Sequence, residues 1–215
     1  MNEQERAEEH LRTIRRLMER ATIYRAISAP TALVGGLLSL ATSGIWWFEA
    51  NSPAFYHPNS YILLWLLVLL LTAGTNVLFI AMGAKKRNEP VFSASMKAAL
   101  VALFPAFLVA GVFTLFCFDW ESNTVGDASV SVAWAICYGL GLLATSHFAP
   151  RSLTLLGWAF LGAGLVAVLS LRFDFLLGIA KILDIPSFFM AGTFGLFHLI
   201  YAACAWPRAG SAPEP

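Results

Sequence analysis

Charge is what this sequence has little of. Asp, Glu, Lys and Arg supply 13% of its 215 residues, while 58% are hydrophobic and the mean hydropathy is +0.69. A soluble domain carries about 25% charged and 45–50% apolar residues, so this is a membrane composition. At about 20 residues per span, six spans and their turns use nearly the whole chain and leave no stretch for a soluble catalytic domain. Cysteine is also scarce. Cys117, Cys137 and Cys204 lie in or at the edge of apolar runs without metal-ligand spacing, which makes them packing residues and not a disulfide framework. There is no H-E-x-x-H, no P-loop, no G-x-S-x-G and no pair of carboxylates within an apolar run. Neither enzyme activity nor a cofactor is expected. A net charge of +1 argues against nucleic acid as a main partner, although the charges are unevenly distributed. The first apolar run follows a long charged segment without a small-residue cleavage site, which is not the pattern of a cleaved signal peptide.

The charges that remain are concentrated. In residues 1–28, Leu11, Ile14, Leu17, Ala21, Tyr24 and Ile27 recur at three- and four-residue steps, and Arg12, Arg15, Arg16, Arg20 and Arg25 occupy the other face. This predicts an amphipathic helix on the cytoplasmic surface. Its basic face suits anionic lipid headgroups, at about 1 kcal/mol per cation, and a protein partner is the rival occupant. Six apolar runs follow within residues 29–206, about Ala29–Phe48, Ser60–Gly83, Lys97–Phe118, Ala128–Phe148, Ser152–Leu171 and Pro186–Trp206. The turn at Pro150 and Arg151 is so short that the fourth and fifth spans must be antiparallel neighbours. Arg172–Ile185 reads as a second amphipathic piece lying on the membrane, and 207–215 as a disordered tail. With the N-terminus inside, twelve of the 14 Lys and Arg fall on the inner side and only Arg172 and Lys181 on the outer. The positive-inside rule therefore puts both termini in the cytoplasm.

Polar groups within the spans are few. Counting depth from the inner end of each expected span places His198, Asn76 and Pro105 in one layer about seven or eight residues deep. Tyr201 lies one turn from His198, and Gly195 sits beside it in the sixth span. An ionisable group at that depth must face protein or water. Two readings follow, a small polar cavity formed by His198, Asn76, Tyr201, Pro105 and Gly195, or structural hydrogen bonds between helices. His147 lies about 10 Å from the His198 layer, too far for a shared haem or metal. The small-residue row Ala98, Ala102, Ala106, Ala110 and Thr114 in the third span invites close helix packing, within one chain or in a homo-oligomer. The string Gly36–Ser43 is similar to Gly141–Ser146, which is compatible with two inverted three-span halves.

Four stretches form a recognisable set: Ile14–Thr22, Ala84–Asn88, Tyr138–Leu143 and Thr193–Tyr201. Together they resemble an uncharacterised family of six-span bacterial inner-membrane proteins, often encoded beside a small winged-helix regulator. The resemblance implies a regulatory or stress-related role and supplies no activity. The expectation is an all-α integral membrane protein of six transmembrane helices plus the N-terminal amphipathic helix. Its role is that of a sensor or interaction partner, or alternatively of a small-solute transporter or channel.

Overall fold

A computed structural model of the chain describes residues 9, 28–50, 60–87, 94–117, 127–147, 149–172 and 206 back to 186. The basic segment with Arg12, Arg15, Arg16, Arg20 and Arg25, the piece from 173 to 185 and the tail from 207 lie outside the described residues. Six helices carry the fold: α1 Ala29–Ala50, α2 Ser60–Arg87, α3 Ala94–Cys117, α4 Asp127–Ala144, α5 Arg151–Arg172 and α6 Pro186–Ala205. Each is long and apolar enough to cross a membrane, and the molecule is a multi-pass membrane protein. Among the described residues there is no strand.

Three helix ends differ by three residues or more from expectation, one being the start of α3, at Ala94 instead of Lys97. Helix α2 continues one turn past Gly83, since Ala84, Lys85 and Lys86 are good helix formers and no breaker intervenes. Helix α4 stops at Ala144, before the expected end at Phe148. There the Thr145 hydroxyl donates to the Leu142 carbonyl at 2.7 Å and the chain turns toward Pro150. Ser28 caps α1 by accepting the Thr31 N–H on its hydroxyl at 3.2 Å.

Lipid tails are as apolar as leucine, so association of the helices rests on close packing and hydrogen bonds. Helices α4 and α5 touch along most of their lengths. Gly139 makes that possible, because a Cβ there would stand 2.7 Å from the Leu161 nitrogen and 2.8 Å from the Gly157 carbonyl oxygen. Gly195 does the same between α6 and α1, where an added Cβ would come within 2.7 Å of Leu40. The main core lies among α1, α4, α5 and α6 around Phe160, Leu142, Leu153 and Tyr201. A second cluster joins Trp46, Tyr61, Ile62, Cys117, Val130 and Met190 near the opposite membrane face.

The packing order has a twofold pattern. Helix α1 packs on α2 and α6, and α4 packs on α5 and α3, as two inverted halves would. The small residues follow suit, with Gly36 against Gly195 and Leu199 of α6, and Gly141 against Leu103 and Ala106 of α3. The row on α3 is thereby used within the chain. The pattern breaks at one place: α5 packs on α6, whereas α2 and α3 barely touch.

Candidate functional site

Between those two helices lies a cleft walled by α1, α2, α3, α4 and α6. It offers about 100 Å³ in which a water-sized sphere can be centred, far more than one water needs. Leu66, Leu69, Phe107, Val130, Met190 and Phe194 give it a mainly apolar wall, and no charged side chain lines it. The polar groups in the wall are hydroxyls, indoles and one imidazole.

Most of these groups are already paired, and their donors can be assigned. The Ser131 hydroxyl donates to the Asp127 carbonyl at 2.7 Å, so the Tyr61 hydroxyl, 2.7 Å away, donates to Ser131. Thr114 donates to the Ala110 carbonyl at 2.8 Å and accepts the Trp134 indole N–H at 2.8 Å. One group differs. The Thr72 hydroxyl is buried without a hydrogen-bond partner, seven residues and about two turns along the same face of α2 from Trp65, whose indole N–H lies beside the Tyr61 hydroxyl.

His198 closes the wall from α6. Residues Ala191–Phe197 form a π-helical turn, and the His198 N–H bonds to the Gly195 carbonyl. The Phe194 carbonyl thereby loses its ordinary α-helical donor, and the imidazole Nδ1 takes that place at 2.9 Å. A carbonyl only accepts, so Nδ1 carries the proton and Nε2 accepts from the Tyr138 hydroxyl at 2.8 Å. Tyr138, Phe160 and Phe194 surround the ring, with centroids 5.5, 5.4 and 6.1 Å from it. The neutral imidazole is thus fixed in one tautomer inside an aromatic box.

The residues anticipated as one polar layer are distributed over several environments. His198 alone among them lines the cleft. Asn76 accepts from the Thr31 hydroxyl at 3.1 Å in the α1–α2 interface. Tyr201 is buried in the main core, Gly195 is the close contact with α1, and Pro105 is exposed on the outer side of α3. Helix ends are an uneven ruler of depth: Asn76 lies 11 residues from the end of α2 at Arg87 yet bonds Thr31, the third residue of α1, and Pro105 lies 11 from the start of α3 at Ala94. Depth measured from the true ends picks out a different partner: Tyr138 is 6 residues from the end of α4, and His198 is 7 from the end of α6. Trp65, Thr72, Tyr61 and Ser131 carried no such signal, because aromatic and hydroxyl residues are ordinary in membrane helices.

Among the described residues, no group of three His, Cys, Asp or Glu is placed to hold a metal ion. No protein-family model matches the sequence, and comparison with curated proteins and with solved structures gives no match either.

Proposed function

We propose that this protein is a receptor embedded in a bacterial inner membrane, sensing a small, neutral, largely apolar ligand held in the cleft. The observation that supports it is the unpartnered Thr72 hydroxyl in an uncharged aromatic wall. A donor buried without an acceptor costs about 1–3 kcal/mol, and lipid tails supply no acceptor. A ligand oxygen recovers that cost, and the apolar wall accommodates the rest. Ion-coupled transport would call for charged groups at depth, which the wall lacks.

Both termini face the cytoplasm in this reading, in keeping with the twelve-to-two distribution of cations. Residues 1–28 then lie on anionic headgroups through Arg12, Arg15, Arg16, Arg20 and Arg25, and carry the signal to a protein partner. No reaction is assigned.

Benzophenone, a neutral diaryl ketone that inserts into C–H bonds under near-ultraviolet light, tests the site. Saturable adducts are expected on Leu66, Leu69 or Met190, and Thr72→Val is expected to raise the half-saturating concentration about fivefold, the equivalent of one hydrogen bond. Adducts that rise linearly with concentration and ignore Thr72→Val would refute the receptor reading. The inverted packing pattern favours a second reading, a carrier that moves the same ligand across the bilayer. Ligand flux in proteoliposomes separates carrier from receptor.

A further inference from the structure

The open seam and the chemistry of the wall together say how the cleft is reached and by what. Helix α2 packs on α1 and only brushes α4, while α3 packs on α4. On the far side of the molecule the corresponding seam, α5 against α6, is sealed by Phe160 against Phe197 with ring centroids 5.5 Å apart. Phe160 is fully buried there. Helices α2 and α3 meet only near their outer ends, through the cluster that holds Ile62 and Cys117, and their outward faces are exposed and apolar at Leu67, Leu70, Leu108 and Leu115. A gap between two membrane-spanning helices at this depth opens onto acyl chains.

The membrane faces of the cleft are better closed. At one end Tyr61 is bonded to Ser131 and packs edge-on against Trp46, with ring centroids 5.2 Å apart. At the other, Gly35 of α1 sits so close to Thr72 of α2 that an added Cβ would meet the Thr72 methyl at 2.9 Å.

We infer that the ligand is a membrane-dissolved neutral amphiphile, a hydrocarbon chain bearing a carbonyl or hydroxyl oxygen, admitted sideways from the bilayer between α2 and α3. Its oxygen accepts from Thr72 while its chain lies along Leu66, Leu69 and Phe107. This rests on the receptor reading for the ligand, and on the seam alone for the route.

The test uses the full chain in vesicles of phosphatidylcholine carrying a mid-chain diazirine, irradiated and mapped by mass spectrometry, with and without benzophenone. Carbene adducts are expected on Leu66, Phe107 or Trp134 as well as on the outward Leu70 and Leu115, and to be absent from Phe160 and Phe197. Saturating benzophenone is expected to reduce the cleft adducts at least twofold and leave those on Leu70 and Leu115 unchanged. Adducts confined to Leu70, Leu115 and other outward residues would overturn the lateral route. If benzophenone still saturated in that case, the receptor reading would survive without it. If lipid adducts formed in the cleft but benzophenone never saturated, the seam would be open and the ligand assignment wrong. Labelling blocked by a second copy of the chain across the seam, detected as a crosslinked dimer, would also refute lateral admission.

Discussion

The tautomer of His198 follows from its two partners, a carbonyl on Nδ1 and a phenol on Nε2. Nitrogen-15 spectra of the labelled protein are expected to show a neutral imidazole protonated at Nδ1, and Tyr138→Phe is expected to shift the Nε2 resonance. That substitution leaves a buried acceptor unpaired, at a cost of about 1–3 kcal/mol in SDS unfolding. In a double-mutant cycle with His198→Phe, the coupling is expected near 0.6 kcal/mol, typical of hydrogen bonds between membrane helices. Additive effects would mean that the bond contributes nothing. At this scale the sequence was partly legible. His198 stood out because an imidazole is rare in an apolar run, whereas its partner Tyr138 looks like any aromatic residue in a membrane helix. Thr72 was illegible for a different reason: being unpartnered is a property of its neighbours.

Between helices, glycine decides how close the backbones come. Gly139→Ala pushes a methyl against the α5 backbone and is expected to destabilise the protein by about 1–3 kcal/mol, because the atoms it meets belong to the main chain. Gly44→Ala, with no atom within 4 Å of the added methyl, is expected to be neutral or to stabilise by up to about 1 kcal/mol. Equal losses at the two positions would show that close approach is not the cause. The π-helical turn in α6 is a second device at this scale, and such turns are frequent at functional sites. Hydropathy located all six helices, because an uninterrupted apolar run is a strong signal. It misplaced the ends of α2 and α4, because helix ends depend on single residues such as Thr145 and on favourable helix formers such as Lys85 and Lys86. Depth counted from misjudged ends therefore grouped Asn76, which bonds Thr31 near the start of α1, and Pro105, which is exposed on α3, with His198.

For the whole molecule, one asymmetry organises the rest. The contacts of α1 and α4 mirror each other, with close approaches at Gly36 and at Gly141. The open seam left no trace in the sequence, since apolar residues line a helix whether lipid, ligand or protein covers it. Orientation is tested by single-cysteine labelling from outside intact cells, with Ser52→Cys and Ser122→Cys expected to react and Asn88→Cys to stay protected; the reverse pattern would invert the molecule. The most direct test of the cleft is a high-resolution map of the protein in lipid nanodiscs. Elongated density is predicted between α2 and α3, with an atom about 2.7–3.2 Å from the Thr72 hydroxyl. A map in which α2 and α3 pack together along their lengths, or in which ordered water alone satisfies Thr72, would contradict it.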